Sequence, residues 1–356
     1  MVPASMITFP PEAVLDIVKA VCSDGTNTFF LHGTEDRPLS GKQCLIYVVQ
    51  GIATCAVRIP VHLEHLPSEA ISNYVDAEVS ILRRLETSHF SWSPRVLGYD
   101  SGFNNPIKFP YMVLTWIDGK PLEWTESIPP QGHTRDKVLY QLANILLELV
   151  SCTMHSKPGV TALTFLTDAV DRKIQRVKKG QLRDVRLEDC LVQRELVPRV
   201  IHDLPEASYF VLSHEDLAAQ NIIVDDEFNV KGIIDWGFAR YLPLQFAAYF
   251  PRFLAIEPEV DDPLPEDVVS FSSAFLRPSL SLQVDRECFI SQLLSADSVS
   301  VSHAIRELMT IILTDPDVDW RHLVFEAAFS KGLHVWMAKR SWLITGTRAG
   351  LEPLSH

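Results

Sequence analysis

The sequence predicts an α+β protein with two lobes, a small one rich in strands and a larger one that is mainly helical. The 356 residues exceed what a single hydrophobic core usually organises. Strand-like apolar runs lie before residue 118, whereas apolar residues at helical spacing dominate after the central part of the chain. Hydrophobic residues make up 47% of the chain, so both lobes have material for a core. We expect the lobes at residues 1–117 and 118–356.

The first lobe is predicted to begin with a helix and a pair of strands. Residues 11–21 have the pattern of an amphipathic helix. Residues 29–32 and 43–49 favour strands, and Ser40, Gly41 and Lys42 between them are typical of a turn.

A further strand, a helix and a strand complete the prediction for this lobe. Residues 54–59, TCAVRI, favour a strand with Arg58 near its end. Residues 74–86 place apolar side chains on one face of a helix that also carries Glu78. Residues 111–117 favour a strand that leads into a turn at Asp118 and Gly119.

The second lobe is predicted to be built from helices. Apolar residues at helical spacing predict helices over residues 136–155, 168–179, 187–202, 266–276, 285–294, 301–313 and 319–343. Basic residues between 172 and 186, Lys173 among them, are interpreted as a solvated positive surface. Trp320, Trp336 and Trp342 are interpreted as core residues.

Residues 213–239, SHEDLAAQNIIVDDEFNVKGIIDWGFA, contain the candidate catalytic and metal-binding residues. Residues 221–224 and 230–234 predict two strands joined by a polar turn, which returns Asp235 beside Asn221. Amide and carboxylate oxygens are ligands that suit Mg²⁺. Asp216 lies five residues before Asn221, so one loop can present its carboxylate to a nucleophile and the Asn221 amide oxygen to the metal. The spacing of His214, Asp216, Asn221 and Asp235 therefore favours metal-assisted phosphoryl transfer over ordinary loop and capping carboxylates.

HEDLAAQN and IIDWGFA resemble the catalytic loop and the metal-binding segment of the aminoglycoside phosphotransferase and choline kinase family. The resemblance is close over these segments and looser over most of the chain. It implies a protein kinase-like fold with a small antiparallel-sheet lobe that binds nucleotide and a mainly helical lobe that binds the acceptor. Fungal members of the phosphotransferase enzyme family often read DWEF here, where this chain has Gly237 in place of the carboxylate.

The resemblance also implies roles for individual residues. Asp216 would accept or orient the acceptor proton, with His214 supporting the catalytic loop, and Asn221 and Asp235 would hold Mg²⁺. Arg58, which stands where many relatives have lysine, would bind the ATP phosphates and be held by Glu78. The remaining nucleotide contacts would come from the turn at Ser40, Gly41 and Lys42 and from backbone groups between Thr115 and Ile117.

The function expected from these features is ATP-dependent phosphoryl transfer to a hydroxyl or amine of a small metabolite or antibiotic-like acceptor. A protein substrate is disfavoured because no APE-like segment follows Asp235. Arg58, the single glycine of the turn and Gly237 keep open a kinase-like pseudoenzyme that only binds nucleotide or a partner. A pocket repurposed for another reaction on a natural product is a further alternative.

Charge and composition limit the partners and the compartment. The formal net charge of −13 opposes binding to nucleic acid or to an anionic membrane surface. The acidic run at residues 257–267 would either attract an amine or form solvated surface. Absence of a long apolar run and of a secretory signal predicts a cytoplasmic protein, and six scattered cysteines are expected to be reduced.

Overall fold

The computed structural model describes residues 9–22, 28–41, 43–201, 209–256, 258, 278–295, 302–340 and 342. In chain order these residues form α1 (Pro11–Cys22), β1 (Phe29–Phe30), β2 (Leu39–Ser40), β3 (Leu45–Gln50), β4 (Thr54–Ile59), α2 (Ser68–Thr87), β5 (Val96–Asp100), β6 (Tyr111–Thr115), β7 (Lys120–Pro121), α3 (His133–Thr153), β8 (His155–Ser156), α4 (Ala162–Lys178), α5 (Leu187–Val200), β9 (Tyr209–Ser213), β10 (Ile222–Val224), β11 (Val230–Ile233), β12 (Arg240–Pro243), α6 (Leu244–Ala247), α7 (Leu280–Ser295), α8 (His303–Leu313), α9 (Val318–Glu326) and α10 (Lys331–Lys339).

The chain folds into two compact units. The first unit comprises residues up to Leu122 together with 214–216 and 220–239, and the second comprises 123–213, 217–219 and the residues from Arg240 onward. The mixture of antiparallel sheets and helices confirms the predicted α+β class. The lobe boundary at residues 117 and 118 stays a prediction. None of the helices in the described ranges is long and apolar enough to cross a membrane.

An antiparallel sheet forms the centre of the first unit. Its strands lie in the order β1-β3-β4-β6-β5, and β2 pairs with the first two residues of β3. The central strands β3 and β4 are almost entirely buried because both faces of the sheet are covered. One face packs against α1, whose Val14, Ile17 and Val18 share a buried core with Tyr47 and Val57 of the sheet.

Helix α2 buries an apolar stripe and carries the polar residues of the site. Its buried face includes Val75, Val79, Leu82 and Leu85, which recur at helical spacing. The helix begins at Ser68, directly after Pro67, which is six residues earlier than the sequence pattern predicted. Glu78 lies on the same buried face, so its carboxylate points inward from the helix.

The strands at the start of the sheet differ from the prediction. The strand expected over residues 29–32 is only Phe29–Phe30, and an additional strand, Leu39–Ser40, pairs with β3. The turn at Ser40 and Gly41 therefore joins β2 to β3, because two short segments share β3 as their partner instead of one long strand. Lys42 lies outside the described residues.

The second unit contains the remaining helices and a small sheet with the order β12-β9-β8. Helix α3 packs against α7, α4 against α5, and α9 against α5 and α10. Trp320, Trp336 and Trp342 are buried, as predicted, in the core formed by these helices. The segment expected as one helix over residues 319–343 is instead α9 and α10, with a break after Glu326.

One basic residue of the second unit does not lie on the surface as predicted. Lys173 is buried and its Nζ donates to the carbonyl of Ala327 and to Gln193 Oε1 at 3.3 Å. Its position follows from the helical spacing, because residue 173 falls on the face of α4 that also buries Val170 and Ile174. The predicted helix at residues 266–276 and the acidic run at 257–267 lie outside the described residues, apart from Pro258.

Candidate active site

The hairpin of β10 and β11 brings the two predicted metal ligands to the same end of a sheet. Ile222 lies opposite Ile233, so Asn221 precedes one strand where Asp235 follows the other. The backbone N–H of Ile234 donates to the carbonyl of Asn221 at 2.9 Å, which extends the pairing to the last residue before Asp235. The expected return of Asp235 beside Asn221 is therefore present in the backbone.

The turn of this hairpin is closed by a side chain. Asp225 Oδ1 accepts the backbone N–H groups of Glu227 and Asn229 at 3.1 and 2.8 Å, and Asn229 Nδ2 donates to Asp225 Oδ2 at 2.9 Å. The hydrogen bonds from Asn229 lower the pKa of Asp225 below its ordinary value. This turn fixes the register that places Asn221 and Asp235 together.

Asn221 is oriented by the catalytic loop. Its Nδ2 donates to the carbonyl of Asp216 at 2.8 Å and lies 3.4 Å from Asp216 Oδ2. Because the nitrogen is committed to Asp216, the oxygen of the amide is the atom left for a cation. The nitrogen of the Asn221 amide therefore stabilises the loop, and its oxygen is the atom that would bind a cation.

His214 binds backbone on both sides of its ring. Its Nε2 donates to the carbonyl of Ile234 at 2.9 Å, and its Nδ1 accepts the N–H of Asp216 at 3.3 Å. The ring is buried against Trp236, with ring centroids 4.6 Å apart. Burial lowers the pKa of His214, which agrees with a neutral ring that donates through one nitrogen only. This arrangement fits the support of the loop expected for His214 better than proton transfer.

Arg58 lies between two carboxylates. Its Nη1 donates to Glu78 Oε1, and its Nη2 donates to Asp235 Oδ1 at 2.5 Å. Antiparallel pairing of β4 with β3 and β6 places Arg58 opposite Ile46 and Met112, in the middle of the sheet. The side chain of Glu78 is almost fully buried, whereas that of Asp235 is about one third exposed at 32%. The pair implied by the resemblance, Arg58 with Glu78, is thus formed and extends to Asp235.

Charge and burial oppose each other in this group. Burial raises the pKa of Glu78, and the neighbouring guanidinium of Arg58 counteracts that shift. Burial also disfavours the charge of Arg58, but the carboxylates of Glu78 and Asp235 hold its pKa above the ordinary value. Arg58 is therefore a permanent cation whose second nitrogen faces the partly exposed carboxylate of Asp235.

Asp235 is held in an uncommon backbone conformation. Its φ of 65° and ψ of 61° lie in the left-handed region, which Asp and Asn adopt more readily than other side chains. The following turn, Trp236–Phe238, packs against α2. This conformation turns the chain sharply after β11 and directs it to the helix that carries Glu78.

The segment between Thr115 and Ile117, which was expected to contact the nucleotide, has one backbone N–H without a hydrogen bond to a described residue. The N–H of Thr115 donates to the carbonyl of Arg95 at 2.9 Å, and the N–H of Trp116 donates to the carbonyl of Thr54 at 3.1 Å. The N–H of Ile117 makes no hydrogen bond to any described residue. Of the backbone N–H groups of residues 115–117, only that of Ile117 is available to a ligand.

Two glycines allow the segment before β7 to lie close to the hairpin of β10 and β11. A Cβ atom on Gly119 would be 2.5 Å from the carbonyl oxygen of Val224, and one on Gly232 would be 2.6 Å from Ile117 Cδ1. The φ of Gly119 is +142°, which side chains rarely adopt. The sequence predicted only a turn at Gly119 and gave no role to Gly232, because close approach between distant segments has no local signal.

The turn at Ser40 and Gly41 is a plain hairpin. The N–H of Gly41 donates to the carbonyl of Cys44 at 3.0 Å, and Ser40 Oγ lies 3.3 Å from His62 Nε2. Within the described ranges, no hydrogen bond joins Ser40, Gly41, Thr115 or Ile117 to Arg58.

Two residues that sequence reasoning missed belong to the Arg58 group. Tyr74 Oη accepts from Arg58 Nη2 at 3.3 Å and donates to Gln43 Oε1 at 2.8 Å. The available signal was the position of Tyr74 four residues before Glu78, which places both on the same helical face.

The donor set fits Mg²⁺ shared with a phosphate better than a closed metal cage. No group of three or more His, Cys, Asp or Glu side chains that would hold a metal occurs among the residues the structure describes. Mg²⁺ usually takes one or two protein oxygens and completes its shell with water and substrate phosphates. Asn221 and Asp235 supply that smaller set, and Asp235 Oδ2 has no hydrogen-bond partner among the described residues. None of the six cysteines, all of which lie in the described ranges, forms a disulfide bond.

Three solved structures that match this fold are described as phosphotransferases. A protein from Ralstonia eutropha JMP134 assigned to the aminoglycoside phosphotransferases matches with a TM-score of 0.53 and 11% identity over 94% of this chain and 96% of its own. The phosphotransferase APH(2″)-IIa, in a ternary complex with streptomycin and ATP, matches with a TM-score of 0.52 and 17% identity over 95% and 99%. ADP-bound APH(2″)-Ib matches with a TM-score of 0.51 and 15% identity over 93% and 99%.

The structural similarity establishes the fold and confirms the kinase-like resemblance. No curated protein sequence matches the chain. The model of the phosphotransferase enzyme family matches residues 26–246, which is more than half of the 356 residues and includes the whole group around Arg58 and Asp235. This match supports the predicted small-molecule phosphotransferase and does not favour the pseudoenzyme. The chain belongs to the phosphotransferase enzyme family.

Proposed function

We propose that this enzyme transfers the γ-phosphoryl group of ATP, bound with Mg²⁺, to a hydroxyl or amine of a small molecule. The observation that carries the proposal is the position of Arg58, with one nitrogen on Glu78 and the other 2.5 Å from Asp235. A fixed guanidinium beside an exposed carboxylate is suited to a nucleotide phosphate and its metal, since each charge finds a partner of opposite sign.

The metal would be held by Asn221 and Asp235. The bound ion would neutralise the negative charge that develops on the phosphate oxygens during transfer. Asn221 offers its amide oxygen because its nitrogen is bound to Asp216, and Asp235 offers the oxygen that does not face Arg58. The ends of β10 and β11 would thus place both ligands without a movement of the backbone.

Asp216 would orient the acceptor and take its proton. The N–H of Asp216 is fixed on His214, and its carbonyl accepts from Asn221. Because His214 and Asn221 both hold the backbone of Asp216, its carboxylate keeps a fixed position, which is the main requirement for a general base. His214 would act through this loop and not on the substrate.

Adenine would be recognised at Ile117, whose N–H is the uncommitted donor of the segment that precedes β7. The acceptor would be a small polar molecule, as in the named complex of a structural neighbour with streptomycin and ATP. The net charge of −13 favours a neutral or cationic acceptor over an anionic one. We also propose a cytoplasmic location and no nucleic acid or membrane partner.

ADP release in the presence of a panel of hydroxyl- and amine-bearing acceptors tests the proposal. We expect at least one acceptor to increase ADP release, and Asp216→Asn to lower that rate by ~10²-fold or more while MgATP affinity is kept. Asp226→Asn, at an exposed position of the hairpin turn, is the matched control and is expected to behave as wild type. Equal turnover by Asp216→Asn and wild type would contradict the role of Asp216.

A further inference from the structure

Tyr74 contacts the nitrogen of Arg58 that faces Asp235. Arg58 Nη2 donates both to Asp235 Oδ1 at 2.5 Å and to Tyr74 Oη at 3.3 Å. The other nitrogen, Nη1, is committed to Glu78. The guanidinium is therefore fixed at three points, and two of them, Tyr74 and Glu78, lie one turn apart on α2.

The hydroxyl of Tyr74 is itself oriented. It donates to Gln43 Oε1 at 2.8 Å, so its lone pairs remain for Arg58. The carbonyl of Gln43 accepts the N–H of His62 at 3.1 Å, which anchors this residue at the start of β3. Burial raises the pKa of Tyr74, so the hydroxyl keeps the proton that it donates.

Gly237 is fitted to the same hydroxyl. A Cβ atom at this position would lie 2.7 Å from Tyr74 Oη, 3.3 Å from Tyr74 Cζ and 3.2 Å from Glu78 Oε2. Any larger residue would push the turn after Asp235 away from α2 or displace Tyr74. A glutamate there would also bring a second carboxylate against Glu78.

We infer that Tyr74 is a positioning residue for the nucleotide phosphates and that Gly237 is the small residue its hydroxyl requires. Tyr74 would fix Arg58 Nη2 at the phosphate site and connect it through Gln43 to the strand that follows the Ser40–Gly41 turn. On this account, Gly237 in place of a carboxylate is a steric partner of Tyr74 and not a sign of lost activity. The inference rests on the proposed function.

The first test separates positioning of ATP from general stability. We expect Tyr74→Phe to weaken MgATP affinity by ~10-fold, the size of a lost hydrogen bond to a charged group. The KM for ATP should rise more than kcat falls, because the variant removes a contact made to the binding residue. Tyr99→Phe, which removes an exposed hydroxyl from β5, is the matched control and should leave both constants unchanged. An unaltered KM and affinity in Tyr74→Phe would overturn the positioning role.

The second test needs no nucleotide. Gly237→Ala should lower the melting temperature, because its methyl group meets Tyr74 Oη. The double variant Gly237→Ala with Tyr74→Phe should melt above Gly237→Ala alone, since the hydroxyl is gone. Strictly additive changes in melting temperature would overturn the pairing of Tyr74 with Gly237. Failure of wild type to bind MgATP would instead contradict the proposed function, and this cycle would still decide whether the two residues are coupled.

Discussion

Arg58 stands at a position where many relatives have lysine, and it still pairs with the carboxylates around it. Its two terminal nitrogens reach different carboxylates, Glu78 and Asp235, which a single ammonium nitrogen cannot do with the same geometry. The planar fork also leaves Nη2 in contact with Tyr74. At this position, arginine is therefore an alternative to lysine for placing one positive charge between α2 and the segment after β11.

We predict that Arg58→Lys weakens MgATP binding by ~10-fold, because the ammonium keeps the charge but cannot reach Glu78 and Asp235 with two separate nitrogens. The measurement is the dissociation constant by calorimetry, with Arg83→Lys as control. Arg83 is exposed on the same helix as Glu78 and lies over the ring of Tyr99, 5.0 Å from its centroid. Identical affinities for Arg58→Lys and wild type would refute the phosphate contact.

Part of this group could be predicted from the sequence. Arg58 and Glu78 were identified because the resemblance implies a basic residue on a strand of the small lobe and a glutamate on the helix that follows it. Tyr74 and Gly237 were not assigned, since their meeting depends on how α2 packs on the turn after Asp235. Local patterns record which face of an element is buried, and they do not record which distant backbone lies against it.

At the scale of elements, the hairpin of β10 and β11 is the frame on which the site is built. It pairs with β7, which begins directly after Gly119, so the segment predicted to contact the nucleotide leads into the small sheet whose strands are flanked by Asn221 and Asp235. Its turn and register were predictable from Asp225 and Asn229 and from the apolar runs on either side. Its contact with the segment before β7 was not, because it depends on two glycines distant in sequence.

We predict that Gly119→Ala destabilises the protein by about 2–3 kcal/mol, since it adds an atom against Val224 at a φ that favours glycine. MgATP affinity should fall as well, because the amide of Ile117 would shift. Gly159→Ala is the matched control: it shares a positive φ, +75°, but its Cβ meets no atom within 4 Å. Urea unfolding and calorimetry of both variants give the comparison, and equal effects of the two substitutions would contradict the packing argument.

At the scale of the whole molecule, buried ionisable groups make stability depend on pH. His334 is fully buried in the second unit, with Nδ1 3.2 Å from Lys173 Nζ and 3.1 Å from Gln193 Oε1. Burial, together with the charge of Lys173, lowers the pKa of His334 from 6.5 to about 4. Since the unfolded chain then binds the proton more readily, the contribution of His334 is complete above pH 6.5 and is lost as the pH falls toward 4.

We predict that the free energy of unfolding decreases between pH 6.5 and 5 and that His334→Gln removes ~1.4 kcal/mol per pH unit of that slope, the effect of one proton. Urea unfolding at several pH values measures it. His303→Gln, at an exposed position of α8, is the control and should keep the wild-type slope. An unchanged slope in His334→Gln would show that His334 does not stay neutral in the folded protein.

The central claim is that Asn221 and Asp235 form a metal site that ATP shares with Arg58, and Mg²⁺-dependent ATP binding tests it most directly. Calorimetry of wild type and Asp235→Asn, with and without Mg²⁺, is the measurement. The account predicts that Mg²⁺ strengthens ATP binding by wild type and that Asp235→Asn loses this gain while it keeps the side-chain shape beside Arg58. ATP binding that is independent of Mg²⁺, or that is the same in Asp235→Asn, would contradict the claim.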